Sequence, residues 1–511
     1  QKRKDLHLQV AQSIERVFGP RLHEFYGMLS LHYIKGENYE KAEEYLIKAG
    51  EEALRTSASN EALNYYQEGL KLYLQTNRAN SDPEKLAMFE KNIAIALYNK
   101  CRWKEAVEHI DKVLGHWNIP SNPNKAILLI KAIKNIIVIM TILDRLFKKA
   151  KPSSIQKDID TLKLLFIRNC AYVYFDNIRF FFHTLSAFNR AIRIDMTKSP
   201  DAINILINMG GMFSYTGLSY NLSQRFLNKC ESEMDIRNIG NLMSYIHIRE
   251  LMNLHSGNWG NDMSYQEAIV NKAISKGDFF NSLTYILWFF MAQVEMGGFV
   301  ATEQAITKLI ELGANYDYKI AYIYAYWLNA GLLLKKGLLL EANVEADKGL
   351  IFSTRHSMEM NQLVFLGLKA EILAMLKNTD KSKDLLHRAQ AIIKRNKFIV
   401  PAGIAPYLVA HFANDIILFK KAMVTNDGSG VSSLQKNAFK NGKEALKGLR
   451  KYAPYRTKLL CLTGEYYWIV GKQKKAIKWW SKSIKTGEEI CARPDLSRAY
   501  FTIGKYLMNP N

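Results

Sequence analysis

The stretch LLCLTGEYYWIVGKQKKAIKWW, residues 459–480, decides how the rest of the chain is read. Leu460, Gly464 and Tyr467 fall four and three residues apart, which places them on one face of a helix. Gly471 sits at the turn that follows. Ala476 and Trp480, again four apart, face back from a second helix. Small residues let two helices approach closely, and aromatic rings fill the volume beside them. A hairpin this short cannot bury its apolar face alone and has to stack on neighbours. Copies of it are therefore expected along the chain.

They are there. Tyr26, Leu29, Tyr33, Gly36, Ala42, Leu46 and Ala49 make one copy, and Ile93, Ala94, Leu97, Ala106, Ile110 and Val113 another. Weaker copies run through Ala171 to Ala191, Gly210 to Phe226, Phe290 to Ile306, Tyr326 to Ala346 and Ala370 to Ala389. The pattern resembles the tetratricopeptide (TPR) repeat, a helical hairpin of ~34 residues. The expected fold is all-α: a TPR-like α-solenoid superhelix of antiparallel helical hairpins. Composition agrees, since 11 prolines and 29 glycines are few for 511 residues and leave room only for short turns.

Four segments are expected. Residues 1–115 hold N-terminal TPR-like helices, and 116–160 a loop and a basic apolar helix inserted into the rhythm. Residues 161–425 form a degenerate solenoid, and 426–511 a basic C-terminal TPR unit. In the second segment KAILLIKAIKNIIVIMTILDRLFKKAKP (125–152) reads as one long helix that packs across the solenoid in preference to lying on a membrane. VTNDGSGVSS (424–433) reads as flexible. The most apolar runs, Ile136–Leu143 and Tyr285–Ala292, are shorter than the ~18 residues of a membrane span. The chain opens QKRKDLHLQV, with neither an initiator Met nor an apolar secretory core, so either a processed product or a fragment of something longer is expected, with no signal peptide visible. Five scattered cysteines with no CxxC pair suit a reducing, cytoplasmic setting.

Catalytic patterns do not appear. There is no phosphate loop, no kinase signature set and no nucleophile elbow. The 11 histidines are dispersed; His247, Glu250 and His255 share a helix, but metal ligation needs three or four converging ligands, so they read as surface polar groups. A non-catalytic chain without metal or cofactor is expected.

Two features point to partners. Formal net charge is +22, and 434–485 carries fourteen Lys and Arg against Glu444 and Glu465 alone. Lys474, Lys478, Lys482 and Lys485 follow three- and four-residue steps and form one stripe, with Lys475 beside it and Trp480 opposite. A field that concentrated favours acidic protein surfaces, and less so membrane lipid or nucleic acid. Secondly, Tyr324 and Trp327 sit where the first helix of a hairpin looks into the solenoid's groove, a place suited to recognising a peptide, with ordinary packing between helices as the other and favoured reading.

The opening segment carries a further resemblance. Leu6-His7, Val10-Ala11 and Ile14-Glu15, then Leu31-His32-Tyr33, Tyr39-Glu40-Lys41-Ala42, Tyr45-Leu46 and Ala49-Gly50-Glu51, are similar to a junction in large signalling proteins. There an AAA-like (STAND-type) NTPase module leads into TPRs, as in class III soluble-type adenylyl cyclases and some bacterial multidomain kinases. The resemblance implies the interaction or sensing arm of a larger signalling protein, bound to other proteins or to other domains of its own polypeptide. It carries no catalytic residue into this chain. A structural adaptor in a large cytoskeletal or ciliary assembly is the alternative, and a nucleic-acid-binding solenoid a third.

Overall fold

A computed structural model describes residues 2–56, 58–76, 82–119, 130, 134–139, 141, 156–192, 200–259, 264–396, 398–425 and 428–508. Among them there is no strand, and helix follows helix from Lys2–Val17 to Arg493–Met508. The chain is a TPR-like solenoid of antiparallel hairpins. In its main body the first helix of each hairpin packs on its own second helix and on the first helices before and after it. Glu359–Met375, for example, touches Thr379–Arg395, Lys319–Lys336 and Pro401–Thr425. The first helices so form an inner row and the second helices an outer one. Burial follows that placement: Phe279–Met296 is buried along almost its whole length, whereas its outer partner Phe299–Tyr316 leaves Val300 and Ile310 exposed.

Close approach is built from small residues set against rings. A Cβ on Gly464 would lie 2.2 Å from Trp480 Cδ1, so the indole seats on this helix only because no side chain stands there. Trp480 Nε1 then donates to the Cys461 carbonyl at 3.2 Å. Ala42, Ala106, Ala342 and Ala476 are all fully buried, as the repeat register requires. Many of the hairpin turns use one backbone device, a left-handed residue just before the second helix. Gly337 and Gly471 supply it at φ 83° and 77°, but Glu37, Cys101 and Lys377 adopt it too, at 55°, 59° and 62°.

The helix Pro401–Thr425 was not singled out by its sequence. It is long and apolar enough to cross a membrane by length and composition, yet 67% of its apolar window is buried inside the protein. It packs between Glu359–Met375 and Gly428–Gly448. Its approach to the former is very close: a Cβ on Gly367 would lie 2.5 Å from the Tyr407 backbone nitrogen. The stretch expected to be flexible at 424–433 is largely helical instead, ending one helix at Thr425 and starting the next at Gly428. Val431 and Leu434 explain this, because both pack against the core.

Most of the inserted segment expected as a long helix lies outside the described residues. Of it, 130, 134–139 and 141 are helical. Ile139 is fully buried, and Asn135 Nδ2 donates to the Leu185 carbonyl at 2.9 Å, so this turn rests on the helix Asn177–Ala191.

Candidate functional site

The inner row curls until its last hairpin meets its middle. The helix Arg493–Met508 packs on Phe279–Met296 and Lys319–Lys336, and the turn Ala453–Tyr455 packs on Ile239–Ser256. Lys451 Nζ donates to the Leu218 carbonyl at 2.7 Å. A second bond runs the other way, from Tyr220 OH to the Lys451 carbonyl. The C-terminal hairpin is thus held inside the curve of the solenoid that precedes it.

Buried charge fastens this contact. Lys335 Nζ bridges Glu295 Oε2 at 2.7 Å and Asp495 Oδ2 at 2.8 Å, and these side chains are 10%, 10% and 2% exposed. Lys458 pairs with the buried Glu371, and the Arg498 guanidinium donates to the carbonyls of Leu334 and Lys335. Burial works against every one of these charges. For Glu295 burial wins over Lys335 and lifts the pKa to about 7. For Lys458 burial again wins, over the attraction of Asp495, and lowers it to about 7. For Lys335 and Asp495 the opposite charges more than offset burial: the Lys335 pKa stays above the usual lysine value and that of Asp495 below the usual carboxylate value. Lys451 and Lys458 belong to the basic stretch 434–485, yet the structure turns both toward the solenoid. The one sequence cue was a charged residue, Lys335, ending an otherwise apolar helix.

Tyr324 and Trp327 lie three residues apart on Lys319–Lys336 and do face the interior, but not an open groove. They are 5% and 8% exposed. The Tyr324 hydroxyl lies 3.1 Å from the Tyr174 hydroxyl and 3.5 Å from Thr284 Oγ1. Trp327 meets Trp288 edge-on, with ring centroids 6.2 Å apart. All of these line a partly open cavity of about 90 Å³, walled by inner-row helices from Gln156–Tyr172 to Glu359–Met375, by the start of the outer helix Asn177–Ala191 and by the segment 399–403. The expected peptide groove is therefore, at this level, a cavity lined by buried side chains.

His247, Glu250 and His255 are not surface groups, a correction to the sequence reading. They are 4%, 3% and 0% exposed, since the inner row surrounds their helix. His247 Nδ1 lies 3.1 Å from Asn281 Oδ1, and His255 Nδ1 3.1 Å from the Ser214 carbonyl. Burial pushes the pKa of each histidine down to about 4, which leaves both uncharged at neutral pH. Among the described residues no group of three or more His, Cys, Asp or Glu is placed to hold a metal ion.

The lysine stripe is at the surface. On the helix Gln473–Glu489, Lys474, Lys475, Lys478, Lys482 and Lys485 are exposed, while Ala476, Trp480 and Ser483 are buried. Lys475 lies over the Tyr467 ring and Lys482 over the Trp479 ring, at 5.7 and 4.8 Å from the centroids. Lys485 lies 3.8 Å from Glu489; Lys474 and Lys478 make no ion pair among the described residues.

No protein-family model and no curated protein sequence matches the chain. Among solved structures it is similar to the crystal structure of the APC/C hetero-tetramer Cut9-Hcn1, with 13% identity, 97% of this chain and 94% of that chain covered, and a TM-score of 0.32.

Proposed function

We propose that the chain is a non-catalytic interaction and sensing solenoid, the regulatory arm of a larger cytoplasmic signalling protein of the kind its opening segment resembles. Its outward contact is the lysine face of Gln473–Glu489, and the partner is an acidic protein surface, on a separate chain or on another domain of the same polypeptide. The observation that carries this is the stripe itself. Five lysines stand exposed on one helix, with Glu489 as the one carboxylate paired to any of them among the described residues. Like charges so placed repel one another by a few tenths of a kcal/mol per neighbouring pair. An acidic partner relieves that repulsion and is drawn in by the field.

The test is charge reversal in the full-length protein: Lys474→Glu, Lys478→Glu and Lys482→Glu together. All three side chains point to solvent, so the helical signal and melting temperature should stay near wild type. Partner capture should fall, and wild-type capture should itself weaken as salt rises toward and beyond ~0.15 M. Unchanged capture and unchanged regulation in the triple variant would sink the proposal.

A further inference from the structure

A cleft opens beside the lysine stripe, where the hairpin that ends at Gly428–Gly448 meets the one that ends at Gln473–Glu489. At earlier joints the outer helix sinks onto the next inner helix through a glycine. Gly313 does so against Tyr322, and Gly349 against Phe365, where a Cβ would lie 2.2 Å from Cε1. Here Gly442 turns instead to Phe412 of its own hairpin, with a Cβ there 2.6 Å from Cε2. Phe439 and Leu446 stand at the joint, and a cleft of about 210 Å³ is left. An apolar cavity of ~150 Å³ already takes up a benzene ring.

The cleft has an apolar depth and a cationic margin. Phe412, Thr463 and Tyr466 are its buried end, while Phe439 at the mouth is 49% exposed and Trp479 is half-buried. Lys443 lines the cleft itself and makes no ion pair among the described residues. Lys475 Nζ lies 5.7 Å from the centroid of the Tyr467 ring and Lys482 Nζ 4.8 Å from that of Trp479, and both rings are part of the wall. Glu444 and Glu465 do not line it, and Glu465 already accepts from the Tyr506 hydroxyl at 2.6 Å. The wetted ring surface favours an apolar guest, and the three ammonium groups favour carboxylates around it. A base flanked by phosphates shares these two elements, but it needs flat rings in a row. Tyr466 and Tyr467 stand at 70° to each other, which makes a socket and not a stacking platform.

We infer that this cleft takes one large apolar side chain, Phe or Leu in size, from an acidic segment of a partner protein, whose flanking carboxylates pair with Lys443, Lys475 and Lys482. The inference rests on the lysine-face reading above and gives that partner its anchor. A buried apolar anchor ringed by polar contacts is the common plan of a tight interface.

Three fluorescein-labelled heptapeptides, DEDFEDE, DEDSEDE and SGSFSGS, titrated into the full chain by fluorescence polarisation, test it. DEDFEDE should saturate, and the peptides lacking either the ring or the charge should bind at least tenfold more weakly, since one large apolar side chain is worth about tenfold or more. Phe439→Ala and Trp479→Ala should each weaken DEDFEDE toward the level of DEDSEDE. Both side chains are partly exposed, so both variants should melt near wild type. Neither variant removes a charge, so the dependence of affinity on salt should keep its slope. The triple variant Lys474→Glu, Lys478→Glu and Lys482→Glu should weaken both acidic peptides and flatten that slope. If the triple variant weakens DEDFEDE while neither alanine variant does, the lysine face stands and the cleft does not. If the triple variant changes nothing, the lysine-face reading falls and this inference with it. The inference is also overturned if DEDFEDE fails to saturate at millimolar concentration, or if DEDSEDE binds equally well. An oligothymidylate that binds more tightly than DEDFEDE and is weakened by the same alanine variants would overturn it in favour of nucleic acid.

Discussion

Replacing Lys335 by Met should undock the C-terminal hairpin while leaving the rest of the solenoid folded. Lys335 Nζ is the shared cation of Glu295 and Asp495, at 2.7 and 2.8 Å, and the three side chains are almost wholly out of water. Met keeps the length of the stem and removes the charge. Taking away one member of a buried ion pair costs about 3–5 kcal/mol, since the partner is left buried and uncompensated. Two features put the expected cost at the lower end of that range. Glu295 is already poised to take up a proton at about pH 7, and Asp495 keeps the attraction of Lys458 and Arg498. A loss of about 3 kcal/mol at neutral pH is expected, borne locally by the contact between Arg493–Met508 and the helices Phe279–Met296 and Lys319–Lys336. Amide hydrogen exchange reads this directly: protection in 493–508 should drop by roughly a hundredfold, with little change in Tyr26–Arg55. The double variant Lys335→Met with Glu295→Met removes two of the three buried charges, leaves Asp495 to Lys458 and Arg498, and should recover most of the loss. A single variant that loses less than ~1 kcal/mol, with unchanged exchange at 493–508, would refute the role given to this cluster.

Glu295→Gln should change how stability depends on pH. The folded carboxyl titrates at about 7 against 4.5 when unfolded, so the folded state holds the proton more tightly. Its contribution is present at low pH and lost as pH rises from about 4.5 to about 7, by roughly 3 kcal/mol. Lys458 has the opposite sense: with its folded pKa lowered from 10.5 to about 7, stability rises with pH across that interval. Docking should thus be weakest near pH 7, and denaturant titrations should show the acid limb flattened in Glu295→Gln. Ala106→Leu and Ala476→Leu each force three extra carbons into a fully buried contact and should cost roughly 1–3 kcal/mol; neutral results at both would displace the repeat register. Lys377→Gly relieves a left-handed residue at φ 62° and should stabilise the chain by about 0.5–1 kcal/mol in thermal melts.

Much of the fold was legible because a repeat writes the same physics many times. Gly464 against Trp480, Gly337 and Gly471 at turns, and the four buried alanines are each local signals, readable within one hairpin. Turns built on Glu37, Cys101 and Lys377 were harder to read, since a residue with a side chain in the left-handed region leaves no mark in the sequence. The helix Pro401–Thr425 was hidden by its own burial: surrounded on several sides, it has no polar stripe to give a helical period. His247 and His255 misled for a related reason, because polarity alone does not tell a surface group from a buried one that has found a partner. The docking of the C-terminal hairpin was out of reach altogether. It joins Lys335 to Asp495 across 160 positions, and no periodic pattern reports such a pairing.

That pairing alters how the array responds to heat and force. In an open stack each unit is answerable only to its two neighbours, so ends fray and units come apart one by one. A strap between positions 335 and 495 makes the enclosed units mutually dependent, because opening any of them first requires the strap to let go. The stretch it spans should melt in a single step and resist pulling as one block, while helices ahead of it peel away gradually. A spring that is soft at one end and latched at the other transmits tension in one direction, and only after a threshold has been passed.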